Sequence, residues 1–282
     1  MRTITLSDHA GDQANAALQA RNDLNQQNFK RYQDQVNVRA LHGLTLVENS
    51  RNAWKKGNYF AFLVSFIHRI AHAISAKPVQ PTAQLADRDE NVFRAGAEGE
   101  YKVVSFLAAR LSDQWIAISG YKNRGGEIDL LLVGPPGIMA VEVKYVNGRI
   151  FCNGDQWWRD KYDKYGNLVE SAKPISDRGG RGPSEQVNAS AELLQIFLIK
   201  ENTPLKRVLR AVVFSHEAAE MGNINGLTVD CATLLPNLNI DYEFERHGLR
   251  ENLLVDELAR LIRKDHAHNE RKTPRTRSES RT

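Results

Sequence analysis

The sequence predicts an α/β fold, a mixed central sheet flanked by helices, with a helical region on its N-terminal side. Two observations carry this prediction. First, two apolar runs of strand length, Ile128 to Val133 and Ile138 to Val143, are separated by Gly134-Pro135-Pro136-Gly137, a strong turn signal, and read as a β-hairpin. The runs are apolar on both alternating sides, so the hairpin belongs in the middle of a sheet. Second, helical and strand patterns alternate irregularly around that hairpin, with no internal repeat, as in a mixed sheet with helices packed on its faces.

The composition allows such a core. The chain has 282 residues, 41% hydrophobic and 26% charged, with a formal net charge of +4. That length suffices for one good core and a smaller element. The mild basicity is compatible with a polyanionic partner without requiring one. Cys152 and Cys231 are the only cysteines and lie outside any C-x-x-C pattern. A disulfide framework or a cysteine zinc site is therefore not expected, and a reducing, cytoplasmic setting is. The N-terminus lacks the charged start and apolar stretch of a signal peptide.

The elements follow in order. Residues 1–76 read as a helical accessory region: a Gln/Asn/Ala-rich helix around Ala17 to Val36, then a second helix from Trp54 to Ser75. In the second helix Tyr59, Leu63, Phe66, Ile70 and Ile74 recur at three- and four-residue steps, while Ser65, His68, Arg69 and His72 share the other side. The apolar part is short and interrupted by Arg69, so docking on the main domain or on another subunit is expected rather than a membrane span. Interfacial membrane contact beside Trp54, Lys55 and Lys56 is the alternative. His68 and His72 have the spacing of a helical metal pair, but no third ligand is visible.

Residues 77–90, with two prolines, read as a linker. The main domain, residues 91–262, begins with a helix over Gly99 to Leu111 and a strand over Trp115 to Ser119. After the hairpin come a strand from Arg149 to Cys152, a polar aromatic hairpin from Asp155 to Glu170, and a Gly-rich loop, DRGGRGPS. A helix from Glu185 to Lys200, strands over Val208 to Phe214 and Leu227 to Cys231, and a helix from Glu251 to Arg263 complete it. Residues 263–282 are basic, Ser/Thr-rich and poor in apolar side chains, which predicts a disordered tail.

The hairpin carries the functional signal. If its loop has two or four residues centred between Pro135 and Pro136, cross-strand partners have numbers summing to 271. Asp129 then lies opposite Glu142 and Glu127 opposite Lys144, so all four converge on one end of one face. Like charges facing each other inside a sheet are destabilising unless a cation lies between them, and a divalent metal would supply that charge.

Asp129 followed by Glu142-Val143-Lys144 resembles the D…E-x-K signature of the PD-(D/E)XK nuclease superfamily. The flanking motifs narrow the resemblance to the nuclease-related domain (NERD) family: Gly96 to Glu100 at the start of a helix, GIMAVEVKYVNGRI, and Pro183-Ser184-Glu185-Gln186 at the start of another. It spans about Ala95 to Ser215; the Gly/Arg-rich SDRGGRG before Pro183 departs from the family pattern. The resemblance implies a restriction-endonuclease-like core and a metal-dependent deoxyribonuclease. Its site residues map to Glu100, Asp129, Glu142, Lys144 and Gln186. It further implies Mg²⁺ or Mn²⁺ held by Asp129 and Glu142, with Glu100 as an additional ligand, Lys144 assisting water attack and Gln186 positioning phosphate or water.

The residues leave other readings open. Glu98 competes with Glu100, and Lys144 with Glu127 would make a plain cross-strand ion pair. Arg178 and Arg181 are suited to phosphate contacts. Trp157 and Lys161, in the aromatic hairpin, are suited to stacking on unpaired bases and touching the backbone, although a twisted hairpin packing its aromatics onto the sheet has the same composition. The expected partner is nucleic acid, DNA before RNA, with the N-terminal helices serving a protein partner or homo-oligomer. The rival functions are a non-catalytic nucleic-acid-binding module and a membrane-peripheral scaffold.

Overall fold

The computed structural model describes residues 1–250 and 252–272, the side chains of residues 9, 10 and 272 excepted. The chain forms two compact units, one of Asn15–Asn91 and one of Met1–Ala14 together with the chain from Val92 onward.

The first of these is helical. α1 (His9–Lys55) is one continuous helix whose residues from Asn15 belong to this unit, and it is followed by α2 (Tyr59–Ile74). Asn58 caps α2 by accepting from Ala61 N at 3.0 Å, and the Arg39 guanidinium of α1 closes its other end by donating to the carbonyls of His72, Ser75 and Ala76. Trp54 packs against Phe62 at 5.0 Å, and His72 meets His42 edge-on at 5.0 Å. No residue of α2 is buried, and Phe60, Leu63, Ile67 and Ile74 point outward at helical spacing. Among the described residues no helix is long and apolar enough to cross a membrane. The stretch expected to be a linker is anchored: Gln84 and Asn25 of α1 exchange two hydrogen bonds, and buried Glu90 pairs with Arg21 at 3.1 Å.

The other unit is built on the central hairpin. α3 (Arg88–Ala108) leads from the helical unit into β2 (Ile116–Asn123), β3 (Gly126–Gly134) and β4 (Gly137–Lys144), three antiparallel neighbours. β1 (Arg2–Thr5) lies parallel to β2, while β8 (Val208–Phe214) lies parallel to β4 and β10 (Cys231–Leu234) parallel to β8, giving the order β1-β2-β3-β4-β8-β10. α4 (Pro183–Lys200) and α6 (Val255–Lys272) cover one face through Val187, Leu194, Leu258 and Ile262, packed over Ile118, Leu131 and Ala140. α3 and α5 (Ile240–Arg246) cover the other through Val103, Leu107 and Phe244 over Leu132, Met139 and Val141. A second sheet of β5 (Gly148–Asn153), β6 (Gln156–Tyr162), β7 (Leu168–Pro174) and β9 (Ala219–Asn225) has the order β7-β6-β5-β9.

Several expectations are corrected. Residues 1–14 do not belong to a separate accessory region, because β1 is an edge strand of the main sheet. Of the strand expected at Leu227 to Cys231, residues 227–230 form a loop after β9 and only Cys231 is extended, as the first residue of β10. The tail expected from Arg263 is helical to Lys272; no glycine or proline interrupts α6 before Pro274. Its remainder, residues 273–282, lies outside the described residues.

β2 and β3 are irregular at one level. Ile116, Ile118 and Tyr121 all join the core beneath α4 and α6, as do Ile128, Leu131 and Val133, so both strands switch parity at the Gly120 and Asp129 level. Gly120 has φ of 69°, and a Cβ there would stand 1.9 Å from the Ser7 carbonyl oxygen. Gly120→Ala is expected to cost about 2 kcal/mol, from left-handed backbone strain plus that collision. Urea denaturation measures it, and a loss under about 0.5 kcal/mol would mean that the segment after β1 yields freely.

Candidate active site

The hairpin has the register its turn dictates. Gly134 pairs with Gly137 around a two-residue loop, and the ladder continues to Leu130 opposite Val141, every pair summing to 271. The next pair is Asp129 and Glu142, and there the ladder stops. Asp129 Oδ2 accepts from Val143 N at 2.7 Å, so a side-chain oxygen takes the place of a strand carbonyl and the strands part. Glu142 keeps the alternation of Ile138 and Ala140 and therefore faces α4.

Lys144 is next along that face. Its Nζ donates to Glu142 Oε1 at 2.6 Å and to Gln186 Oε1 at 3.1 Å. Gln186, in the first turn of α4, is fixed by donating from Nε2 to the Arg181 carbonyl at 2.7 Å. The Lys144 side chain is 21% exposed and that of Glu142 only 4%, so the lysine lies nearer the surface than the carboxylate it holds. The expected cross-strand pair of Lys144 with Glu127 does not form. Glu127 instead meets Lys122 at 3.2 Å on its other neighbour strand, because β3 and β4 have already separated.

The surroundings disfavour ionisation of the acids gathered here, chiefly through burial. Burial and the neighbouring Glu142 charge push the Asp129 carboxyl well above its ordinary range, only partly opposed by Lys144. Burial raises Glu142 as well, against the pull of Lys144 and Arg181. For Lys144, burial favours the neutral amine, but the charges of Glu142 and Asp129 outweigh it and the net shift is upward. Glu100 is pushed up to about 7 by burial and then by the charges of Glu127, Asp8 and Glu142. Glu98 turns elsewhere: it takes the Tyr145 hydroxyl at 2.8 Å and Lys102 at 2.8 Å. Of the two competing acids, Glu100 is the one whose charge reaches Asp129. Gly99 lets α3 approach this end of the sheet, since a Cβ would lie 2.9 Å from both Ser215 Oγ and Tyr145 Cβ.

Val143 N and Lys144 Nζ engage one oxygen each of Asp129 and Glu142. Two carboxyl groups whose ionisation is penalised by burial, and at Asp129 also by the Glu142 charge, form a donor set that suits a hard divalent cation retaining several waters. Among the described residues no three Asp, Glu, His or Cys side chains gather into a preformed metal cage, so Glu100 stands outside the immediate pair.

The expected nucleic-acid contacts fare unevenly. Trp157 is 3% exposed; its indole packs against Phe214 at 5.5 Å and donates to Ser184 Oγ at 2.9 Å, so it cannot stack on bases. It occupies the inward face of β6, where a large aromatic holds the second sheet to the core. Arg181 is occupied as a strut: it pairs with Asp177 at 2.9 Å and donates to the Gly125 carbonyl at 3.1 Å. Arg178 is exposed beside the Phe93 ring, and Lys161 is half-buried opposite Glu170. Asp177, which holds Arg181, is not among the site residues that the sequence singles out. Its signal was an acid opening a Gly-rich loop, where a carboxylate bonds nearby backbone N–H groups, as it does here with Arg181 N at 2.9 Å.

Residues 95–215 match the family model of the nuclease-related domain, NERD. Over that segment the chain is similar to NERD domains. The D…E-x-K set expected from the sequence, Asp129 with Glu142 and Lys144, lies within that segment. No curated protein and no solved structure matches the chain. The NERD match contains Glu100, Asp129, Glu142, Lys144 and Gln186, and it leaves out β1, α1, α2, β9, β10, α5 and α6.

Proposed function

We propose that the NERD domain hydrolyses phosphodiester bonds of nucleic acid, DNA before RNA, with Mg²⁺ or Mn²⁺ held by Asp129 and Glu142. The observation that carries this is the pair of buried acids, Asp129 and Glu142, beside one partly exposed lysine side chain. When bound, such an ion polarises phosphate and acidifies water. The protein's own residues do the rest. Lys144 has three N–H donors, and Glu142 and Gln186 hold two of them; the third is left for a phosphate oxygen, where it offsets developing charge. Because its protonated form is favoured, Lys144 acts as a donor and an orienting cation rather than as the base. Gln186 keeps the ammonium aimed, and Arg181, by fixing Gln186 through its carbonyl, sets the loop. Exposed Arg178 supplies backbone contact. Both cysteines are buried and unpaired, which supports a reducing, cytoplasmic setting.

The test is incubation of the purified protein with linear, circular and single-stranded DNA and with RNA, in Mg²⁺, Mn²⁺ or EDTA. Cleavage of DNA that needs the metal is expected. Binding without cleavage under every metal would replace the enzyme with a non-catalytic nucleic-acid-binding module. The exposed apolar face of α2 favours a separate docking role for the helical unit, with another protein or a second copy.

A further inference from the structure

Outside the NERD match, a cleft of about 600 Å³ opens between α6, α4 and the β2–β3 turn. Lys264, His268 and Arg271 fall on one face of α6 at steps of four and three residues, and Arg124 at the tip of the turn faces them across the cleft. Phe197 of α4, half-buried, lies between. The acid in the lining, Asp265, is turned inward to the Tyr121 hydroxyl. Among the described residues Arg124, His268 and Arg271 make no ion pair, and Lys264 reaches Glu201 only at 3.4 Å. Lysine and arginine groups held around an aromatic surface, with only Lys264 near a carboxylate, make a site for an anion that carries a flat or apolar part. Its volume is that of a small-ligand pocket.

The cleft is coupled to the active site by consecutive hydrogen bonds. Arg124 adjoins Gly125, whose carbonyl accepts from Arg181 at 3.1 Å; the Arg181 carbonyl accepts from Gln186 at 2.7 Å; and Gln186 Oε1 accepts from Lys144 at 3.1 Å. The turn is held on α4 as well, by Asn123 Nδ2 donating to the Ser190 carbonyl at 2.8 Å. The basic cleft and the reactive Lys144 thus belong to one braced surface.

We propose that this cleft binds a phosphodiester-linked nucleotide of the substrate at a distance from the scissile bond, with phosphate on Arg124, Lys264 and Arg271 and a base or sugar against Phe197. This rests on reading the Asp129–Glu142–Lys144 site as one that acts on nucleic acid. Free nucleotides share the chemistry, and the test separates the two sources.

The experiment uses the full chain with Arg124→Ala and Arg271→Ala together. Binding of labelled duplex DNA is followed by anisotropy in EDTA across a salt series, and cleavage is followed in metal. Two lost phosphate contacts should make the slope of log affinity against log salt shallower by about 1.8. KM for long DNA should rise about tenfold with kcat unchanged, and the melting temperature should stay at the wild-type value. If the wild type cuts DNA and the double variant keeps the wild-type slope and KM, the cleft proposal is overturned while the nuclease reading stands. A wild type that neither binds nor cuts nucleic acid overturns both. Should AMP raise the melting temperature of the wild type but not of the variant, with DNA slopes equal, the cleft serves a free nucleotide and the polynucleotide assignment is wrong.

Discussion

Asp129→Asn should reduce phosphodiester hydrolysis by about 10³-fold while making the metal-free protein more heat-stable at pH 8. The asparagine oxygen can still accept from Val143 N, so the parting of β3 and β4 is retained, but the penalised charge is gone. The pH dependence has a definite sign. Glu100 carries a folded-state pKa of about 7 against an ordinary 4.5, and Asp129 and Glu142 shift in the same direction. Between pH 4.5 and 7 the unfolded chain has released protons that the folded chain keeps, so metal-free stability falls as pH rises through that window. Mg²⁺ or Mn²⁺ bound to the ionised pair should restore it, with a gain that shrinks as pH falls and protons compete. Asp129→Asn should blunt both the pH-dependent loss and the metal-induced gain. Glu127→Gln, whose carboxylate is engaged by Lys122, should change them less. Melting curves from pH 5 to 8 with and without metal decide the matter. An unaltered metal response in Asp129→Asn would remove the residue from the proposed ligand pair.

Trp157→Ala should cost about 3–5 kcal/mol of unfolding free energy, among the largest losses for one side chain in this protein. The indole is buried against Phe214, and its removal also leaves Ser184 Oγ without its donor in a closed environment. Trp157→Phe keeps most of the ring and forfeits the N–H, so it should lose about 1 kcal/mol beyond any change in packing. DNA affinity per folded molecule should be unchanged in both. Were Trp157→Ala as stable as the wild type and deficient in binding single-stranded DNA, the side chain would have to be a stacking surface after all.

The fate of Trp157 shows where the sequence is informative and where it is not. Tryptophan alternating with arginine and lysine looks the same whether a strand presents its aromatics to solvent or tucks them inward, and only the strand's parity against a second sheet decides. The Asp129 and Glu142 pairing was legible because a turn of two prolines between two glycines leaves few registers, and the structure adopts the expected one. The partner of Lys144 was not, since it depends on the ladder ending when the Asp129 side chain captures Val143 N. Arg181 looked like a phosphate ligand for want of any sign that Asp177 would hold it. β1 is not legible in the sequence for a simpler reason: four residues, Arg2–Thr5, are too few to show a period, and their strand partner is more than a hundred positions away.

That strand changes what the helical unit is. β1 and β2 are neighbours in one sheet, yet α1, α2 and the segment to α3 all lie between them in the chain. The helices are therefore an insertion fastened at both ends rather than an appendage hanging from one. A single nick within residues 76–87 would leave both fragments attached, the N-terminal one through β1 and its flanking residues and through the Arg21–Glu90 pair. Removal of everything before Ala76 would take away more than the helices, because it would strip an edge strand and bare the N–H and C=O groups of β2, a template on which another copy could add a strand.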